Sequence, residues 1–116
     1  MATDTWFSVR LLFVSEINGD AHQDRLCEES IIVVQAADEE SARAAAQRLA
    51  LTLEHGYAND RGEVVQWRFV RLMELQDLCE ATLTNGTEVW SKLFYESQTH
   101  DAEVADSLAP TTTTRH

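Results

Sequence analysis

One helical stretch interrupts a chain that otherwise alternates like β-strands, and this order constrains the fold more than any other feature. Residues 38–53 are rich in alanine and leucine, which are strong helix formers. Asp38 suits the N-cap, and Glu39 and Glu40 follow where the helix dipole favours negative charge. Gly56 is placed to end the helix. The apolar stripe is predicted to consist of Ala42, Ala45, Ala46, Leu49 and Leu53. Because most of the stripe is alanine, the helix is expected to lie close against a sheet.

Four other stretches have the pattern of β-strands: residues 5–14, 30–36, 63–75 and 87–95. In the first, the side chains that share one face are Phe7, Val9, Leu11 and Phe13. The second is almost continuously apolar, which favours a central strand that is buried on both faces. In the third, the alternation blurs from Val70 through Met73, which indicates a β-bulge or a change of the face to which the side chains point.

These elements predict an α+β fold with the order ββαββ, in which one helix packs on one face of a four-stranded antiparallel sheet. Residues 1–95 are expected to form a single domain, since 116 residues is the size of one ordinary domain. Residues 96–116 are predicted to be an acidic, low-complexity C-terminal tail that is disordered.

The predicted strands also carry apolar side chains on the opposite face of the sheet, which a single helix cannot cover. The side chains with this phase are Trp6, Leu12, Val14, Trp90 and Phe94. An uncovered apolar face of this kind usually meets a second subunit or a ligand. We therefore expect a homodimer formed through the open sheet face.

The charge of the chain limits its partners. Twenty acidic residues against nine basic ones give a formal net charge of −11, which repels nucleic-acid backbones. No concentrated basic patch offsets it, so we expect no nucleic-acid partner. The charge fits a soluble protein, or one that meets a basic protein partner, as an inhibitor or immunity-type protein would.

Localisation is predicted from what the sequence does not contain. There is no apolar leader at the N-terminus and no run of about 20 apolar residues, so we expect no membrane association. The two cysteines, Cys27 and Cys79, are far apart and form no CxxC pair, which favours reduced thiols in the cytoplasm.

Neither a catalytic nor a metal signature is present. The four histidines share no ligand spacing. Glu28 and Glu80 stand beside the two cysteines, and neighbouring carboxylates disfavour a reactive thiolate. The sequence also has no nucleophile elbow and no phosphate-binding glycine loop. We therefore predict no catalytic residue, no metal and no cofactor, and a protein that is not an enzyme.

Several short motifs have a recognisable order and spacing. They are Trp6-Phe7-Ser8 before an apolar strand, Glu28-Glu29-Ser30, Tyr57-x-Asn59-x-x-Gly62-Glu63-x-Val65-x-Trp67-x-Phe69-Val70, and Gly86-Thr87-Glu88-Val89-x-Ser91-x-x-Phe94. Together, over residues 5–95, they resemble the bacterial family called domain of unknown function 4288, with Phe7 where tyrosine is frequent. The resemblance implies a small cytoplasmic bacterial domain, and it carries over neither an activity nor a functional residue.

The candidate binding residues lie on the face predicted to point away from the helix: Trp6, Arg10, Arg68, Glu88, Trp90 and Lys92. Three interpretations fit them. The cations could form a cross-strand ion-pair ladder, an interface with aromatic anchors, or a pocket for an anionic ligand. We predict a non-enzymatic module that self-associates or binds protein. The alternatives are a small-ligand-binding protein or enzyme that uses this polar side of the sheet, and the inhibitor or immunity-type protein.

Overall fold

A computed structural model describes residues 4–19 and 24–98 of the chain. Its elements are β1 (Thr5–Ile17), β2 (Cys27–Ala36), α1 (Glu39–Thr52), β3 (His55–Ala58), β4 (Val64–Asp77) and a turn of 3-10 helix (Glu96–Gln98). The strands form one antiparallel sheet in the order β2-β1-β4-β3. The predicted α+β fold with the order ββαββ is confirmed. Most of the predicted tail, from residue 99 on, lies outside the described residues.

The core lies between α1 and one face of the sheet. The β1 side chains predicted to share a face are all buried there: Phe7, Val9, Leu11 and Phe13. Trp67 and Phe69 of β4 pack against the same cluster, with the rings of Phe13 and Phe69 5.7 Å apart. We call the opposite side of the sheet the far face.

The helix meets the sheet through alanines alone. Ala42, Ala46 and Ala50 are 0% exposed, whereas Leu49 and Leu53 of the predicted stripe are exposed. The buried residues follow an i, i+4, i+8 spacing, so the contacting line passes through the smallest side chains. As a result, the helix packs closely across β2, β1 and β4.

The predicted N-cap is confirmed and the predicted C-terminus is wrong. The Asp38 carboxylate accepts a hydrogen bond from the Ser41 amide at 2.7 Å, which holds the pKa of Asp38 below its usual value. The helix ends at Thr52, and Gly56 lies in β3 opposite Gln66. The chain turns early because β3 must begin at His55 to pair with β4.

The second strand is an edge strand and not the central strand that its apolar sequence predicts. β1 lies between β2 and β4, so β2 has a neighbour on one side only. Its Ile31 side chain is 44% exposed. Among the described residues, no backbone hydrogen bond is made to the outer edge of β2 over residues 28–35.

The predicted irregularity in residues 70–73 is confirmed as two β-bulges in β4. Residues 7–17 of β1 pair with residues 65–77 of β4, and the register shifts twice, leaving Val70 and Met73 unopposed. Each bulge shifts the alternation of β4 by one residue. The shifts keep apolar side chains on the core side of the sheet, where Phe69, Leu72 and Leu75 all contact the core.

The strand predicted over residues 87–95 is absent from the described part of the chain, and β3 takes its place in the count of four. After β4, Leu78 and Glu80 still exchange backbone hydrogen bonds with Trp6 at the end of β1. The chain then leaves the plane of the sheet and reverses at residues 84–87, where Gly86 has a φ of +88°. We call residues 81–95 the crossing segment. It cannot pair with β4, the strand before it, because β4 already has β1 on one side and β3 on the other.

No helix in the described ranges is both long and apolar enough to cross a membrane.

Candidate binding surface

Arg10 is at the centre of the far face. It lies in the middle of β1, and its neighbours on both adjacent strands supply carboxylates. Arg10 Nη1 is 2.9 Å from Glu29 Oε1 on β2, and Arg10 Nη2 is 3.7 Å from Glu74 Oε1 on β4. The guanidinium therefore forms a cross-strand ion-pair ladder with a carboxylate on each side, and its charge is neutralised within the sheet.

Trp90 lies on this guanidinium. Arg10 Cζ is 5.2 Å from the centroid of the Trp90 ring, within the range of a cation–π contact. Two glutamines tie down the same part of the chain: Gln76 Nε2 donates to the Ser91 carbonyl at 3.0 Å, and Gln35 Nε2 donates to the Ala81 carbonyl at 3.2 Å. The crossing segment thus rests on the far face through a few contacts made by side chains of β1, β2 and β4.

Hydrogen bonding under the crossing segment is incomplete. Ser8 Oγ, Arg10 Nε and Trp90 Nε1 are the buried side-chain polar atoms without a partner in the described ranges. All three belong to the region in which Trp90 covers β1. A buried donor without a partner costs about 1–3 kcal/mol, so this contact is held less firmly than the helix side of the sheet.

The other predicted site residues are distributed along the far face and the crossing segment. Arg68 lies near the opposite end of β1, where its Nε is 2.8 Å from Glu16 Oε1. This hydrogen bond, followed by the charge of Glu16, raises the pKa of Arg68. Trp6 is half-buried and joins the chain after β4 through its backbone, and Lys92 is exposed on the crossing segment. The structure therefore brings together Arg10 and Trp90, and leaves Arg68 and Lys92 apart from them.

Glu88 lines a groove of about 550 Å³ between the end of β4 and the turn of the crossing segment. The groove is lined chiefly by polar groups, including the carboxylates of Asp77, Glu80 and Glu88. Nowhere in the described ranges do three or more histidine, cysteine or acidic side chains converge as a metal site would require.

The second half of the crossing segment exposes large apolar side chains. Leu93 is 98% exposed and Phe94 is 50% exposed, and Tyr95 beside them is also exposed. Over residues 88–94, the Ser91 carbonyl is the only backbone group with a hydrogen-bond partner in the described part of the chain. This stretch has the side-chain alternation of a strand and no strand beside it.

The side chains that hold the candidate residues in place were not predicted from the sequence. Glu29 and Glu74 pair with Arg10, and Gln76 holds Ser91. The two glutamates can be identified as partners of Arg10 only once β1 is known to lie between β2 and β4, and the role of Gln76 requires the path of the crossing segment as well. Their signal in the sequence was the alternation itself, which places a polar residue on the far face at each of these positions.

Comparison with known proteins identifies the family and no activity. Neither the curated proteins nor the solved structures gave a match. A family model matches residues 6–91, which include the helix and all four strands except Thr5, the first residue of β1. The chain belongs to the family described as Domain of unknown function (DUF4288).

Proposed function

We propose that this domain is a non-enzymatic protein-binding module that self-associates through the far face and the crossing segment. The observation that carries the proposal is the exposed run of Leu93, Phe94 and Tyr95. Single apolar side chains on a surface are ordinary, whereas a contiguous group of large ones is typical of an interaction site. Aromatic residues are also the usual anchors of protein interfaces.

The pairing of Arg10 supports an interface more than a pocket for an anion. The guanidinium already has Glu29 and Glu74 as partners, so an anionic ligand would have to compete with two carboxylates of the protein itself. In this arrangement Arg10 positions Trp90, and Trp90 in turn positions the exposed residues that follow it.

The test is the solution mass of the wild type and of Leu93→Glu, measured by light scattering after size exclusion. The wild type is expected at twice the chain mass of 13.1 kDa, and Leu93→Glu at the chain mass with an unchanged circular dichroism spectrum. Leu93 makes almost no contact within its own chain, so the substitution does not threaten the fold. Leu51→Glu, at an exposed position on the helix, is the matched control and is expected to remain dimeric. A monomeric wild type would contradict the proposal.

A second candidate function is small-ligand binding, favoured by the groove beside Glu88. Because Asp77, Glu80 and Glu88 line it, the groove suits a cationic ligand such as a short aliphatic diamine and disfavours an anion. The test is the melting temperature with the diamine in millimolar excess, compared between the wild type and Glu88→Gln. A rise that is seen only in the wild type supports this candidate, and equal curves contradict it.

A further inference from the structure

We propose that residues 88–94 of one copy add as an antiparallel strand to the outer edge of β2 in a second copy, and that the exchange is reciprocal. This inference rests on the proposed self-association. It keeps the crossing segment as one of the two surfaces that meet, and it places the other at the outer edge of β2, which borders the far face.

The acceptor is an edge strand with the sequence of a buried strand. Its central residues, from Ile31 to Val34, are all β-branched and apolar, and the strand from Cys27 to Ala36 contains no proline, glycine or lysine. It also has no bulge in its pairing with β1. Natural edge strands are usually protected by such devices or by charged side chains, since an unprotected edge pairs with any available strand. The charged residues of β2 are Glu28 and Glu29 near its start, and its remaining residues carry no charge. The apolar sequence of β2 is explained if a further strand covers this edge.

The donor, residues 88–94, has the sequence of a strand and pairs with no strand in the described ranges. In residues 88–94, Val89, Ser91 and Leu93 alternate with Trp90 and Lys92, and valine, tryptophan and phenylalanine favour strands. The backbone of this stretch makes one hydrogen bond within the described ranges, to the Gln76 side chain. Strand addition supplies the missing ladder, as in other edge-binding peptides.

A second copy satisfies both deficiencies with one interface. Each chain carries one donor and one acceptor, so two chains related by a two-fold axis make the same contact twice and close the assembly. A different protein could fill the edge of β2 and still leave the donor exposed.

Charge and side-chain phase select the register. When Lys92 is placed opposite Glu29, Trp90 lies opposite Ile31 and Val89 lies opposite Ile32. An aromatic residue then faces a β-branched one, and a cation faces an anion, both of which stabilise cross-strand pairs. In the same register Phe94 lies opposite Cys27.

The register also determines what becomes of the contact of Trp90 with Arg10. Ile31 is the β2 residue directly opposite Arg10. A tryptophan that is paired with Ile31 of a second copy lies on the far face at the level of that copy's Arg10. Because the side chain of Ile31 then lies between this tryptophan and that Arg10, the cation–π contact made within one chain is given up when the strand is added.

The experiment uses the native thiol at Cys27. Phe94→Cys is introduced together with Cys79→Ser, so that Cys27 and the new cysteine are the only thiols. Paired residues of neighbouring antiparallel strands have Cα atoms about 4.5–5.5 Å apart, within the range that a disulfide spans. Mild oxidation is expected to convert most of the protein to a covalent dimer on a non-reducing gel. Two controls, Cys79→Ser alone and the triple variant that also carries Cys27→Ser, are expected to give none.

The outcomes separate this inference from the proposed function. A dimer by light scattering without the cross-link would overturn strand addition and leave self-association standing. A disulfide within one chain would show that the segment pairs with its own β2, and it would also overturn the inference. A monomeric wild type would overturn both this inference and the proposed function. As a second measurement that needs no disulfide, Ile31→Lys is expected to weaken the dimer at least tenfold, while Leu51→Lys leaves it unchanged.

Discussion

At the scale of single residues, the alanine line of α1 sets the distance between helix and sheet. Ala42, Ala46 and Ala50 have no exposed surface, so their methyl groups are enclosed between the helix and the strands below it. This close approach allows fourteen residues of helix to cover three strands.

Ala46→Leu is expected to lower the free energy of unfolding by about 1–3 kcal/mol, because three added carbons must displace the helix or its neighbours. Urea denaturation measures the change. Ala44→Leu, on the exposed side of the same helix, is the control and should remain within about 0.5 kcal/mol of the wild type. Equal effects of the two substitutions would contradict the close packing.

Asp38 predicts a pH dependence whose sign follows from its lowered pKa. The ionised carboxylate caps the helix in the folded state, so its contribution is complete above the unfolded pKa of about 4 and is lost as the pH falls through the folded value. An asparagine at this position would cap the helix without titrating. As the pH is lowered from 7 to about 2.5, the melting temperature of Asp38→Asn should therefore rise by a few degrees relative to that of the wild type. A constant difference across this range would contradict the role of the charge.

At the scale of elements, the crossing segment is attached to the sheet by a few side-chain contacts. Arg10 is its principal attachment, through the ring of Trp90. Lys92, two residues later, is the sole lysine of the sequence, so a lysine-specific protease reports on this segment and on nothing else.

Arg10→Met is expected to speed cleavage after Lys92 roughly five- to tenfold, as the loss of about 1 kcal/mol of cation–π attraction implies. The rate is read from the appearance of the N-terminal fragment by mass spectrometry. Arg68→Met removes a comparable far-face cation that pairs with Glu16 and does not contact the segment, and its rate should match the wild type. Equal acceleration by both substitutions would mean that Arg10 does not hold the segment.

The elements whose bounds and type could be predicted best are those long enough for the side-chain period to repeat several times. β1, α1 and the irregular β4 each show their period over ten or more residues. β3 has four residues, all exposed, so it shows no alternation of burial and its pairing depends wholly on β4. Residues 87–95 have a clear strand pattern, and yet no strand pairs with them within residues 4–19 and 24–98.

For the candidate site, the face of each residue could be predicted and its neighbours could not. Period-two alternation places Arg10 and Arg68 on the far face, where the structure has them. Whether two strands lie side by side is a property of the strand order, which alternation does not encode. The contact between Arg10 and Trp90 depends further on the path of a segment outside the sheet.

At the scale of the whole molecule, the net charge of −11 opposes any self-association. Two such chains repel one another over a distance set by the Debye length, which falls from about 30 Å at 0.01 M salt to about 10 Å at 0.1 M. If the domain dimerises as proposed, added salt should strengthen the dimer.

The dissociation constant of the dimer is expected to fall several-fold between about 0.05 M and about 0.5 M sodium chloride. Sedimentation equilibrium at several salt concentrations measures it. Leu93→Glu should remain monomeric throughout, which separates specific association from salt-induced aggregation. A dimer that weakens with salt would indicate that ion pairs, and not apolar contacts, hold the copies together.

The central pair of strands comes from opposite ends of the sheet-forming sequence, and this has a kinetic consequence. β1 pairs with β4 from Phe7 with Asp77 to Ile17 with Val65. During synthesis, β1 and β2 can form a hairpin early, and α1 can follow. β3 has no partner until β4 emerges, because it touches the sheet only through that strand. The long loop between β1 and β4 must close before half of the sheet is stabilised, and such distant contacts slow folding. β4, the last of the four strands to leave the ribosome, therefore completes the fold. Until it emerges, one side of β1 remains unpaired.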